Sequence, residues 1–266
     1  MIEKKNAIVL SVQRFSETSH LVTWLAEDGE KLVTLVKGAC RPKSLFLGQY
    51  DFFQTCELVF YRKERHGLHI AKECASLAAR NGLRSDWRAF ACASYLCGLV
   101  ADIAFPGSTQ VALYDHVADT LDHLCSRGTT PELPLWFELH IQGILGWPPR
   151  FHQCVVCGKA HAAEERTARL SVALGGVLCS ACLPDSSEAV ESMRADVLAI
   201  LRRWQADPSP RAAYTTRCSL QQLLVCRTIL GRFLHYHMEL MPEGRRIALE
   251  MSSACETPNR RKGRPT

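Results

Sequence analysis

Two Cys-x-x-Cys pairs constrain this chain more than any other feature. Cys154-Val155-Val156-Cys157-Gly158 is answered by Cys179-Ser180-Ala181-Cys182, with 21 residues between the pairs. Each pair sends two sulfurs to one side of a tight turn, and two pairs brought together complete the closed tetrahedron that Zn²⁺ prefers. Gly158 suits the turn after the second sulfur, and Gly175-Gly176 would let the chain return before the third. Four Cys ligands leave no position open for water or substrate, so the expected zinc is structural, a clip on a small ribbon. His152 and His161 flank the first pair as substitute ligands. An isolated Cys-x-x-Cys could serve redox chemistry, but a second one at this distance argues against it.

The remaining cysteines set the compartment. The chain holds 13, an odd number, and Cys56, Cys74, Cys92, Cys97, Cys218 and Cys226 sit in apolar runs, where they read as small buried hydrophobes. That usage implies a reducing environment. The opening Met1-Ile2-Glu3-Lys4-Lys5 does not introduce a signal peptide, and no stretch of about 18 apolar residues is long enough to span a membrane. With 47% hydrophobic and 22% charged residues over 266 positions, the expectation is a soluble cytoplasmic protein of one large or two smaller domains.

The net charge of +5 is unevenly placed. Residues 1–78 hold eleven Lys/Arg against nine Asp/Glu, residues 79–150 five against seven, and Arg260, Arg261, Lys262 and Arg264 close the chain without an acid in the last ten residues. A nearly neutral body argues against a basic coat protein but leaves room for a local nucleic-acid face.

From Asn6 to Lys72 the pattern is that of strands: Ala7 to Phe15, His20 to Leu25, Lys31 to Lys37, Asp51 to Arg62 and Gly67 to Ala71, with a hairpin turn at Asp28-Gly29. Five short strands with one long connection after the third fit a small barrel. After Lys72 the period changes to 3.6, and the boundary between barrel and helical domain is set at 78/79. Helices are expected from Ser85, with Trp87, Phe90, Ala91, Ser94, Tyr95, Gly98 and Leu99 in one stripe, and then over Gln110–Ser126, Pro131–Leu145, Ser187–Trp204 and Leu220–Leu240. The cysteine ribbon, at about 150–184, therefore reads as an insertion into a helical domain spanning 79–250, and 251–266 as a disordered basic tail. No phosphate loop or hydrolase motif occurs.

The connection Lys37-Gly38-Ala39-Cys40-Arg41-Pro42-Lys43-Ser44 is the first candidate site, since cations beside a barrel face track a phosphate backbone in single-strand-binding barrels. Arg14, Lys31 and Arg62, with Lys63 and Arg65, extend it, and Phe46, Tyr50, Phe52 and Tyr61 offer stacking faces; ordinary solvated charges over core aromatics are the competing reading. His235 and His237, two residues apart on a helix, point to different sides and read as helix contacts rather than metal ligands. Arg245-Arg246 offers an anion site, with a solvated pair as the default reading. The spacing of Asp115, Asp119 and Asp122 could hold a divalent metal, although opposite the apolar stripe they read as the solvated face of a helix.

Taken together, these pieces resemble the RecO family of bacterial recombination-mediator proteins. The residues that carry the resemblance are Ala7-Ile8-Val9-Leu10, the Lys37–Ser44 connection, Leu58-Val59-Phe60-Tyr61-Arg62, Leu145-Gly146-Trp147 leading into the first cysteine pair, and Gly175-Gly176-Val177-Leu178-Cys179. The resemblance implies an α+β chain: an N-terminal five-stranded OB-type β-barrel followed by an α-helical domain with an inserted four-cysteine zinc ribbon. It implies binding of single- and double-stranded DNA, annealing of complementary strands, and recombinase loading. The implied partners are RecR, the acidic tail of the single-strand-binding protein and, indirectly, RecA, at the nucleoid. Carried over by position, Lys37, Arg41 and Lys43 would meet phosphates and Cys154, Cys157, Cys179 and Cys182 would hold zinc. Cys40 departs from the pattern, which favours a basic or small residue there.

The expected role is that of a non-catalytic DNA-binding mediator. An apolar groove rimmed by cations, near Arg227, Arg232 and Tyr236, would take the acidic partner peptide. Rival readings are an RNA-binding module, a metal-dependent nuclease using Asp115 and Asp119, and an adaptor without nucleic-acid contact.

Overall fold

The computed structural model describes residues 1–63, 68–161, 166–183, 190–240 and 242–253. Strands β1 (Ile2–Arg14), β2 (His20–Ala26), β3 (Lys31–Val36), β4 (Thr55–Tyr61) and β5 (Leu68–Ala78) close a barrel in the order β1-β2-β3-β5-β4. β1 pairs back to β4, and β3–β5 is the single parallel ladder. This is the OB-type barrel that the strand pattern and the resemblance led us to expect.

β1 explains how one chain supports two cores. Ala7 to Leu10 read as an unbroken apolar run because both faces of that stretch are covered. Ala7 and Val9 enter the barrel core with Val22, Trp24, Leu32, Val36, Leu58 and Phe60, whereas Ile8 and Leu10 join the core of the helical body. Trp24, fully buried, also satisfies its indole N–H by donating to Thr34 Oγ1 at 2.9 Å. Removing a side chain of that size from water contributes roughly 3 kcal/mol.

Two strands differ from the pattern read in the sequence. β4 starts at Thr55 rather than Asp51, because Phe53 takes a left-handed turn (φ 68°) that lets Val9 donate to Gln54 O and accept from Phe53 N–H. β5 runs on to Ala78, beyond the expected Ala71; Glu73, Ala75, Ser76 and Leu77 are exposed there, so no apolar alternation betrays the strand. Gly67, the expected start of that strand, lies outside the described residues.

The helical body comprises α1 (Gly82–Ser85), α2 (Trp87–Ile103), α3 (Val111–Arg127), α4 (Leu133–Ile144), α5 (Ala195–Ala206), α6 (Arg211–Thr215), α7 (Leu220–Met238) and α8 (Glu243–Ser253). Asp86 caps α2 by accepting from Arg88 N–H, and Ser219 with Gln222 forms a capping box on α7. Of the expected α2 stripe, Tyr95 and Leu99 are buried but Trp87, Phe90 and Ser94 are exposed, and the buried face extends instead over Ala89, Cys92, Ala93, Leu96, Cys97 and Val100. Small side chains allow β1 and α8 to approach this helix closely, a demand that size-weighted periodicity hides. α8 reaches Ser253, past the expected start of the tail, with Ala248, Leu249 and Ser252 buried. The cations at 260–264 lie outside the described residues.

The ribbon is not a free-standing insertion. β6 (Thr167–Ser171), β7 (Gly176–Leu178) and β8 (Glu191–Arg194) form a sheet in the order β7-β6-β8. Its Ala168, Leu170, Val177 and Met193 belong to the same buried cluster as the helices. The segment expected to be helical from Ser187 begins outside the described residues; β8 occupies its Glu191–Arg194 part, and α5 follows directly.

Candidate nucleic-acid interface and metal centre

Strand register gathers cations at one end of the barrel. Arg14, the last residue of β1, pairs with His20 of β2, and His20 pairs with Val36 of β3. Lys37 comes next, and the connection continues through Arg41 and Lys43. Backbone bonds hold this loop to the β1–β2 turn and to itself: Cys40 N–H donates to Thr18 O (3.1 Å), Arg41 N–H to Gly38 O (3.1 Å) and Ser44 N–H to Arg41 O (3.0 Å). Arg14 donates from Nε to Ser16 O, and none of Arg14, Lys37, Arg41 and Lys43 has a carboxylate partner among the described residues. All four are exposed.

Two other expected members stand elsewhere. Lys31 donates from Nζ to Ala101 O of α2, tying the barrel to the helices. Arg62 donates from Nε to Glu3 (2.5 Å) and from both Nη atoms to Glu30 (3.0 and 2.8 Å), and Lys5 meets Glu30 (2.7 Å) and Asp28 (2.5 Å). This network closes the opposite end of the barrel. Lys31 pairs with Leu25 and Leu25 with Ile8, six residues before Arg14 along β1, or about 20 Å away. Spacing alone could not show that acids waited opposite Arg62. Arg65 lies outside the described residues.

The expected stacking rings also divide. Tyr50 sits 5.9 Å from Trp24 and Phe46 6.4 Å from Tyr50, so both seat the loop on the barrel core. Phe52 packs edge-on to Phe90 of α2, and Tyr61 is partly exposed near the far end. Leu45 and Leu47, absent from the sequence-based candidates, are 88% and 67% exposed beside the cations. Their apolar character offered no signal apart from position.

At the metal centre the four expected sulfurs converge: those of Cys154, Cys157, Cys179 and Cys182 all lie within 4.8 Å of one another, with Cys157 and Cys179 at 3.6 Å. A tetrahedral zinc with bonds of about 2.3 Å holds its sulfurs about 3.8 Å apart, so the set fits such an ion. Positive φ at Gly158 (73°) turns the first knuckle, whose Gly158 N–H donates to Cys154 O and Cys154 N–H to Lys159 O. Burial would push the Cys154 thiol up, but backbone hydrogen bonds from Cys157, Cys179 and Val156 outweigh it and bring it down to about 6. Cys182, hydrogen-bonded to Cys179 and Cys157, is pushed up to about 12, as expected where neighbouring sulfurs cannot all carry charge without a cation among them. No other metal-capable cluster of His, Cys, Asp or Glu occurs among the described residues.

The acids of α3 are all exposed, as expected of a solvated face, but one of them also ties the fold together. Asp122 accepts from Arg80 Nε (2.6 Å), and Arg80 also donates to Phe53 O and Thr55 Oγ1, clamping the barrel to the helices. Asp119 contacts His123 on its own helix, and Asp115 remains exposed. His237, as expected of a satisfied helix residue, contacts Val172 O at 2.9 Å through Nε2.

Arg227 and Arg232 line a groove of about 560 Å³ between α7 and the 240–246 segment, floored in part by Leu234, Leu240 and Pro242. Arg232 is paired with Glu191. Tyr236 instead lines a neighbouring cavity of about 410 Å³ with Trp147 and Phe105. Arg246 joins the groove rim while pairing with Glu250, but Arg245 is not solvated. It bridges to the fully buried Glu138 by two bonds of 2.8 and 2.7 Å. Gly231 makes this passage possible, since a Cβ there would lie 2.7 Å from Arg245 Nη1.

Comparison with known proteins agrees with this architecture. The chain is 28% identical over 247 residues to the DNA repair protein RecO of an Anaeromyxobacter species, covering 92% of this chain and 93% of the relative. It is 30% identical over 204 residues to that of Desulforudis audaxviator (76% and 79% of the two chains) and 27% identical over 202 residues to that of Rhodopirellula baltica (76% and 74%). The family model described as Recombination protein O N terminal matches residues 1–80, across the barrel, and that described as Recombination protein O C terminal matches 84–246. Barrel and helical body are thus each matched along nearly their whole length, and the chain belongs to the RecO family of DNA repair proteins.

Proposed function

We propose that this protein is a non-catalytic mediator that binds single- and double-stranded DNA, anneals complementary strands and, with RecR, helps load RecA onto DNA coated with single-strand-binding protein. The observation that carries the reading is the cluster of Arg14, Lys37, Arg41 and Lys43 at one barrel end, without carboxylate partners among the described residues. Cations so placed offset the repulsion between two phosphate backbones, which is the electrostatic obstacle to annealing. Zinc is the metal assigned to the four sulfurs, and its role is to stiffen the ribbon behind the helices. The acidic tail of the single-strand-binding protein is assigned to the α7 groove, where Leu234 and Leu240 offer apolar contact and Arg227 supplies a side chain without a carboxylate partner among the described residues. The protein works in the cytoplasm, at the nucleoid.

The test is annealing of complementary strands coated with single-strand-binding protein. The intact protein should accelerate it, and Arg41→Glu with Lys43→Glu should remove most of the acceleration. Annealing that is indifferent to the double substitution would overturn the assignment of this face.

A further inference from the structure

The cationic loop also holds a nucleophile with a proton acceptor beside it. Cys40 Sγ lies 3.2 Å from His20 Nε2, and His20 Nδ1 lies 2.7 Å from the Tyr50 hydroxyl. A nucleophile, a base within hydrogen-bond reach and a third group orienting the base are the elements of an activated thiol. Tyr50 packs against Trp24 and Phe46, His20 stands on β2, and Cys40 N–H donates to Thr18 O, so barrel packing and the loop backbone bring the three groups together. Cys40 and Cys157 are the exposed cysteines among the described residues, and Cys157 belongs to the metal centre. By contrast Cys92 and Cys97 are fully buried, and that burial pushes both thiols up to about 12.

We propose that Cys40 is a thiol-modification site for anionic low-molecular-weight disulfides, with His20 taking its proton, Tyr50 orienting the imidazole, and Lys37, Arg41 and Lys43 attracting the reagent. As the thiol loses its proton to Nε2, both ring N–H groups donate, one to the sulfur and one to the Tyr50 oxygen. Burial holds the Tyr50 hydroxyl protonated, so it remains a neutral partner. The Cys40 sulfur attacks one sulfur of the disulfide. A new S–S bond forms as the old one breaks, and the departing thiolate leaves with the bonding pair and takes the proton from the imidazolium. One thiol has been exchanged for another and no other oxidant is consumed. The product carries the carboxylates of the added group among the loop's cations. On the reading given under Proposed function, that occupancy should compete with phosphate and weaken DNA binding, and an added thiol reductant should restore it.

The experiment follows uptake of oxidised glutathione by the metal-loaded full chain, with peptide mass mapping to place the adduct. Cys40 in the folded protein should react at least about tenfold faster than in the chain unfolded in denaturant, and His20→Gln should remove that advantage. Tyr50→Phe, which keeps the ring packing, should lower it in part. The neutral hydroxyethyl disulfide should show a smaller preference for the folded chain than the anionic reagent. Equal rates folded and unfolded, or rates indifferent to both substitutions, would overturn the proposal. Oligonucleotide affinity is read separately, before and after modification, and is expected to fall about tenfold and recover on reduction. Rapid uptake with unchanged affinity would overturn the regulatory consequence alone. An unmodified protein that ignores oligonucleotides would overturn the function proposed above, while the rates still decide the site.

Discussion

Glu138 lies in an all-round buried helix, and the cost of stranding its partners should dominate local stability. Its carboxylate accepts from both Nε and Nη2 of Arg245 and from the Tyr95 hydroxyl (2.7 Å). Glu138→Leu leaves a buried guanidinium without its counter-charge, and unfolding in urea should show a loss of about 3–5 kcal/mol. Adding Arg245→Met should recover most of it, since the pair as a whole replaces one well-packed arrangement by another. Glu30 gives a pH-dependent case. Hydrogen bonds from Arg62, and secondarily from Lys5, outweigh burial and hold its carboxyl at about 2, below the ordinary 4.5. A group depressed in the folded state stabilises above its unfolded value and loses that contribution as pH falls toward the folded one. Acid titration of stability should therefore show a loss of roughly 3 kcal/mol between about pH 4.5 and 2 that Glu30→Gln abolishes. Neither role was legible in the sequence. Arg245 read as a solvated cation and Arg62 as a phosphate ligand, because each meets a partner more than 30 residues away that no local pattern names.

The metal ribbon was the most legible element, since ligand identity and spacing are both local. Its docking was not: Leu170 and Val177 enter the core of the helical body through contacts that only the folded chain creates. That docking sets the consequence of losing the ion. Chelation, or Cys179→Ser, should release the β6–β7 hairpin and uncover the fully buried Phe151, lowering the thermal midpoint of the helical body by several degrees. Trp24 reports the barrel, and its fluorescence should change less on chelation than that of Trp204, which shares the helical core. α8 was the least legible helix, because its buried face is only Ala248, Leu249 and Ser252. The start of β4 was misplaced for a different reason, a left-handed Phe53 that no propensity rule anticipates.

Over the whole molecule, charge is sorted by position more than by amount. The body is close to neutral, yet one barrel end gathers Arg14, Lys37, Arg41 and Lys43 while the other ties its cations to Glu3, Asp28 and Glu30. The bulk composition indicated that any nucleic-acid face would be local, and the Lys37–Ser44 connection was readable as its centre. The sorting itself came from strand register, which places Arg14 beside the loop and carries Lys31 away from it. If three or four of these cations neutralise phosphates, affinity for a short single strand should fall with salt with a log–log slope of about −2 to −3. Arg41→Glu with Lys43→Glu should flatten that slope by at least about 1.4, whereas Arg62→Gln should leave it unchanged and cost stability instead. Equal flattening by Arg62→Gln would mean that the paired end of the barrel also meets DNA, and would relocate the interface from the strand ends to the barrel wall.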